Sequence, residues 1–214
     1  MQSKAEEAYE IIKRKIIMLE MRPTSDISEE ALIQELNISR TPIREAIQRL
    51  AKDRFVIIYP RKGTIVSDIS IDLINCVYEV RLLNEPYMAR QTVEQTTDEW
   101  IQKMKSEFQS FQPESYDVMK YIDLDYKLHK ELTCYSNNMF LNSLFAVVND
   151  HNHRIRVETS TRNRDYSRSI REHIAILEAI ERRDADAVEQ AVRAHILTSK
   201  REAYDFNFNM TIRD

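Results

Sequence analysis

Glycine is almost missing. The 214-residue chain has one, Gly63, and five prolines. That scarcity excludes a glycine-rich phosphate loop and argues against a glycine-punctuated α/β sheet. With 43% hydrophobic and 31% charged residues, a compact, mainly helical protein is the better fit. Cys76 and Cys134 are too few and too far apart for a disulfide framework or a CxxC site, so each is expected to be an ordinary buried thiol. Long apolar runs are also lacking: "FVIIY" and "LFAVV" are far too short to cross a bilayer, and no hydrophobic leader core follows "MQSKAEEAYEIIKRK". A cytoplasmic location without membrane contact is the resulting expectation. Finally there is no HExxH, no nucleophile elbow and no Glu-x-x-His pair of a di-iron bundle, which removes the commonest enzyme signatures.

What is present divides the chain. Residues 1–66 carry 12 Lys/Arg against 10 Asp/Glu, net +2, whereas the remainder is net −6. A local surplus at one end permits a DNA-facing surface despite the overall charge of −4. Apolar residues at Ala5, Ala8, Ile11, Ile12, Ile16 and Leu19 predict a helix over 3–19. A shorter helix starts near Ser28, with Glu29 and Glu30 at its dipole-positive end and Leu32, Ile33 and Leu36 inward. Asn37 suits the left-handed residue that ends it, and Ser39 or Thr41 can cap the next.

That next helix, "SRTPIREAIQRLAKD", buries Ile43, Ala46, Ile47 and Leu50 and leaves Arg40, Thr41, Arg44 and Gln48 on the other side. Arginines in a first turn oppose the helix dipole, which favours acids there. Contact with guanine edges or phosphate would explain them, and solvated surface charge is the alternative. Ser39 at the helix start can offer its hydroxyl or amide to phosphate. "FVIIYPRKGTIV" then predicts two strands around a basic tip at Pro60 to Gly63, where Arg61 and Lys62 are placed to meet the DNA backbone or minor groove. Two linked helices and a basic hairpin make a winged helix-turn-helix over residues 1–67.

Residues 68–214 read as helical almost throughout, at about 70–94, 97–110, 115–135, 138–158, 163–182 and 184–204. The fold class is therefore mainly α: an N-terminal winged helix-turn-helix followed by an antiparallel all-helical bundle of about six helices. Pro86 is expected to bend or split the first of them. In "DLDYKLHKEL", Asp125 and His129 share one helical face. His173 lies 11 residues before Asp184 and His195 lies 11 after it. If the chain turns back at Asp184, both histidines stand roughly 16 Å from the turn, at matching height. Asp125, His129, His173 and His195 would then suit a divalent ion, zinc first, with nickel, manganese or iron as alternatives. A local hydrogen bond between Asp125 and His129 is the plainer reading. His151 and His153, two residues apart, point to different sides of a helix and are expected in surface or hydrogen-bonding roles.

These motifs resemble the GntR family of bacterial transcription regulators, specifically the FadR-like subgroup with an FCD-type effector domain. "SEEALIQELNISRTPIREAIQRLAKDRFVIIYPRKGTIV" is similar to its winged-helix signature; "YEVRLLNEP", "LDYKLHKEL" and "REHIAILEAIERRDADAVEQAVRAHI" are similar to successive effector-domain segments. The resemblance implies a homodimer on a palindromic double-stranded operator, with DNA contacts at Ser39, Arg40, Thr41, Arg44 and, at the wing, Gly63. It implies that Asp125, His129, His173 and His195 form the Asp/three-His metal set, and that Arg81 meets a small carboxylate effector; from the residues alone, Arg81 reads as a surface charge. Three positions depart from the family pattern. Glu30 stands where arginine is common, Asn37 replaces a turn glycine, and Arg54 replaces a glycine before the wing.

The functional expectation is a transcriptional regulator, a repressor rather than an activator and not an enzyme, whose operator binding responds to a small carboxylate bound at or near the metal. Two alternatives stay open: a metal sensor without an organic effector, and a metal-dependent hydrolase with an auxiliary DNA-binding domain.

Overall fold

A computed structural model describes residues 3–111, 117–160 and 166–211, with side chains as far as Asp205. The chain divides into two units, Met1–Ile69 and Ser70–Asp214.

The first unit opens with α1 (Lys4–Ile17), capped by the Ser3 hydroxyl, which accepts the Glu6 amide at 3.1 Å. A two-residue strand, β1 (Asp26–Ile27), precedes α2 (Glu29–Leu36), and Ser28 caps that helix by accepting from the Ala31 amide. Asn37 ends α2 in the left-handed region at φ 53°, a conformation asparagine tolerates better than most residues. The turn is thus only three residues long before α3 (Arg40–Lys52) begins. Ile43, Ala46, Ile47 and Leu50 of α3 are buried with Ala8, Ile12 and Ile16 of α1 in one apolar core, and Leu32 is buried with them.

β2 (Val56–Tyr59) and β3 (Gly63–Val66) form the expected hairpin, in register Val56 with Val66 and Tyr59 with Gly63. β1 adds an unanticipated third strand on the other side of β3, giving the antiparallel order β1-β3-β2. Two residues carry too little periodicity to announce a strand.

The second unit contains six helices among the described residues: α4 (Ile71–Arg90), which runs into a 3-10 turn at Gln91–Glu94, then α5 (Asp98–Gln109), α6 (Val118–Cys134), α7 (Met139–Ser160), α8 (Ser167–Glu181) and α9 (Ala185–Thr211). The anticipated starts at 115 and 163 fall outside the described residues, and α9 continues past 204. α4 packs along α9 and touches α6 and α7; α8 lies between α5 and α9. No helix among the described residues is long and apolar enough to cross a membrane.

Pro86 neither ends nor divides α4. A proline leaves the carbonyl four residues earlier without its helical donor. Here that carbonyl belongs to Leu82, and the Arg193 guanidinium of α9 donates to it at 3.2 Å. The expectation for the cysteines is corrected: Cys76 and Cys134 are both exposed, because each falls on the outward side of its amphipathic helix.

Candidate functional site

The amino-terminal end of α3 is exposed, and its arginines are engaged. Arg44 Nε donates to Glu29 at 2.8 Å, and Arg40 donates to Glu30 at 3.3 Å. Both arginine side chains stay more than half accessible, so these are surface pairs that solvent screens. Ser39 occupies the N-cap position with extended backbone but makes no capping bond through its side chain. Thr41 is exposed beside it.

At the wing, the Lys62 amide donates to the Tyr59 carbonyl at 3.0 Å, closing a turn with Pro60 and Arg61 at its centre. Arg61 is left-handed at φ 64° and Gly63 lies at φ 120°. A side chain at 63 would meet open space, so backbone conformation alone demands glycine there. Arg54 also takes a positive φ, 66°, with its side chain exposed; the turn before the wing keeps a glycine-like shape without a glycine.

In the second unit, α6 supplies Asp125 and His129, α8 supplies His173 and α9 supplies His195, all four buried. The turn that brings α8 and α9 together is built locally. Arg183 is left-handed at φ 56°, and the Asp184 carboxylate accepts the Ala187 amide at 3.0 Å. One ligand atom from each of the four residues lies within 4.8 Å of the other three. His173 Nε2 and His195 Nε2 are 3.2 Å apart, His129 Nε2 and His195 Nε2 are 3.2 Å apart, and His173 Nε2 is 3.3 Å from Asp125 Oδ1. Donors bound at about 2.1 Å to one ion would stand about 3.0 to 3.4 Å from each other at octahedral to tetrahedral angles.

The tautomers reinforce this fit. His129 Nδ1 is 2.5 Å from the Glu85 carboxylate and His195 Nδ1 is 2.9 Å from that of Glu172. A carboxylate accepts, so each ring donates from Nδ1 to its glutamate and presents Nε2 to the centre of the cluster. Carboxylates on the outer nitrogens of metal-bound imidazoles set ring orientation in the same way. Among the described residues Asp125 Oδ1 is buried with no hydrogen-bond partner, which fits an oxygen that could serve as a cation ligand.

The electrostatics agree. Burial works against ionising Asp125, but the buried Arg156 guanidinium leads the opposing charges and holds its carboxyl well below the usual range. Burial keeps His173 and His195 well below the ordinary imidazole value, with His195 adding to the effect on His173 and His129 to that on His195. Neutral imidazoles and an ionised carboxylate are the forms that bind a metal.

Arg81 is not a surface charge; it is 1% exposed. Its Nε and Nη2 donate to Glu85 at 2.7 and 3.3 Å, and its Nη1 donates to Asn152 at 2.6 Å. Despite its burial, Glu85 has its pKa lowered to about 2 by Arg81 and His129. His151 and His153 are buried rather than superficial, because α7 is enclosed on all sides from Val148 to Val157; His153 stacks on Tyr126 with ring centroids 4.6 Å apart. Reasoning from sequence missed Glu85, Asn152, Arg156 and Glu172. Only Arg81 and Glu85, four apart on one helix, left a readable trace.

The residues 4–66 match the profile described as bacterial regulatory proteins, gntR family, and residues 76–198 match the FCD domain. The chain is 26% identical over 197 residues to the HTH-type transcriptional repressor RspR of Escherichia coli (strain K12), covering 89% of this chain and 85% of that protein. It is 25% identical over 190 residues to the HTH-type transcriptional regulator YdhC of Bacillus subtilis (strain 168), covering 87% and 85%. Among solved structures, E. coli McbR/YncC shares the fold with a TM-score of 0.82 at 17% identity, over 96% of this chain and 99% of that one. The protein is a DNA-binding transcriptional regulator and not an enzyme, and its helical unit holds a buried Asp/His cluster that could coordinate a metal ion. The chain thus belongs to the gntR family of bacterial regulatory proteins, with an FCD domain as its carboxy-terminal part.

Proposed function

We propose that the protein is a cytoplasmic homodimeric repressor that binds a palindromic operator and releases or tightens on it when a small carboxylate binds at or near a divalent metal in the helical unit. The carrying observation is the convergence of three Nε2 atoms and the Asp125 carboxylate, with two of the rings held from behind by Glu85 and Glu172. Asp125, His129, His173 and His195 would hold the ion; zinc is the first choice, with nickel, manganese or iron as alternatives. When bound, it would supply positive charge and open coordination positions for oxygen atoms of the effector. Arg81 belongs to the wall of that site through its contact with His129 at 3.2 Å.

On the DNA side, Arg40 and Arg44 would exchange their acidic partners for guanine edges or phosphate, and Ser39 and Thr41 would fix the helix on the backbone. Arg61 and Lys62, presented by the turn before Gly63, would meet phosphate or the minor groove. Repression is supported by the repressor RspR, a relative over most of both chains.

The test has two stages. Operator fragments selected from random DNA are bound by the protein before and after chelation. The zinc-loaded protein is then titrated with small carboxylates while operator affinity is followed. A carboxylate-dependent change in affinity, abolished in His195→Ala, is the expected result. A response to zinc alone, with none to any carboxylate, would make the protein a metal sensor.

A further inference from the structure

We propose that Arg156 of α7 grips the carboxylate of the effector, while Arg81 is a positioning residue that acts on His129 through Glu85. This rests on the reading that an anionic effector binds beside the metal site.

The two arginines are equally buried and differently employed. Arg81 has all three guanidinium nitrogens engaged by Glu85 and Asn152, so a ligand would have to displace a carboxylate already in place. Arg156 is 5% exposed and makes only long ion pairs with Asp125 and Glu202, each at 3.6 Å, against 2.7 Å for Arg81 with Glu85. Among the described residues its side chain donates one short-range hydrogen bond, to the Tyr121 hydroxyl at 3.4 Å, and its buried Nε has no hydrogen-bond partner. A guanidinium has five N–H donors in a planar fork that matches a carboxylate. Arg156 closes none of its pairs tightly, so its fork can turn to a ligand carboxylate, 3.6 Å from an oxygen of the Asp/His cluster. The Tyr78 hydroxyl, which feels the charges of Arg81, Arg156 and Asp125, is likewise buried without a hydrogen-bond partner among the described residues.

Charge points the same way. Among the described residues of the helical unit, the buried arginines are Arg81, Arg154 and Arg156 and the buried carboxylates are Glu85, Asp125 and Asp150. They balance; a divalent ion would leave two positive charges uncompensated in the interior, where charge is costly. Glu172 and Glu202 stand partly exposed at the edge, where water screens them. An anionic ligand restores the balance, and Arg156 is the cation with donors to receive it.

The experiment is calorimetric titration of the full-length, zinc-saturated protein with acetate, lactate, malonate and succinate. Wild type, Arg156→Lys, Arg156→Gln and Arg81→Lys are compared, and zinc affinity is measured separately by chelator competition. Arg156→Gln is expected to weaken the best probe by about 10- to 100-fold, the range of a charged hydrogen bond. Arg156→Lys, which keeps the charge but loses the fork, should weaken it less. Both should hold zinc as tightly as wild type or more so, because a neighbouring positive charge is gone or shifted. Arg81→Lys should instead lose about tenfold in zinc affinity, as expected when support behind a ligand is disturbed, with little change in probe affinity at saturating zinc. The assignment is overturned if the Arg156 variants bind the probe like wild type, if they lose zinc and probe together, or if Arg81→Lys alone loses the probe. If wild type binds none of the four acids, the carboxylate-effector reading itself falls and takes this one with it.

Discussion

Arginine meets glutamate in both halves of this protein, with opposite consequences. Arg81 and Glu85 are sealed in the helical unit, 1% and 0% accessible by side chain, while Arg44 and Glu29 on the winged unit are 58% and 28% accessible. The heavy-atom distances are almost the same, 2.7 and 2.8 Å. Distance therefore says little about what either pair does. A sealed pair cannot lose one partner without stranding the other in a medium of low polarity, so it holds a shape. An open pair loses little when water or phosphate takes over one side, so it can be traded for a ligand. The first suits the support of a metal site and the second suits a surface that must bind and release DNA.

The strongest way to break this comparison is to unpair the sealed side. Glu85→Ala should destabilise the helical unit by about 3 to 5 kcal/mol, the cost of an uncompensated buried charge. Chemical denaturation would read it, and a loss below 1 kcal/mol would mean that Arg81 is not truly enclosed.

Acidification separates the halves next. His173 and His195 are held below the ordinary histidine value of 6.5, so in the metal-free protein the unfolded chain takes up protons on these rings before the folded chain does. Stability contributed by keeping them neutral is complete above 6.5 and falls as the pH drops below it, by up to about 1.4 kcal/mol per pH unit for each ring. Thermal unfolding across pH 7 to 5 should show this slope in the metal-free wild type and lose about half of it in His173→Gln. An unchanged slope in that variant would contradict the burial of this ring.

On the open side, Arg44→Ala should lower affinity for the selected operator by about 1 to 3 kcal/mol if the guanidinium reads a base edge. Reduced affinity with unchanged sequence preference would assign it to phosphate instead. The smallest effect is expected from Glu30→Gln, which frees Arg40: DNA binding should tighten by less than about 1 kcal/mol, more visibly at low salt. Weaker binding would show that Glu30 orients Arg40 rather than occupying it.

How far each half was legible follows the same division. α3 announced its buried face because Ile43, Ala46, Ile47 and Leu50 repeat at helical spacing, and Asn37 announced its turn by its tolerance of positive φ. The approach of His173 and His195 was readable because two helices joined by a short turn convert equal sequence distance into equal height. The rest of the cluster was hidden for a physical reason. Glu85, Asn152, Arg156 and Glu172 look like any polar residue on a helix, and only the stacking of helices distant in sequence decides that they are enclosed. Arg81 read as solvated on the same ground, and the cysteines as buried, since composition reports how often a residue type is inside but not which side of its helix it occupies. Nor could sequence announce that Glu29 and Glu30 reach across to the next helix.

Pro86 gives α4 a mark that α9 can read. An unbroken helix offers its neighbour the same groove every turn, and a partner can slip by about 5.4 Å into an equivalent seat. The spare carbonyl of Leu82 exists at one height only, and Arg193 is fastened to it two residues before His195. It works as an indexing pin: sliding by a turn would break that bond and carry His195 away from Asp125, His129 and His173 at the same moment.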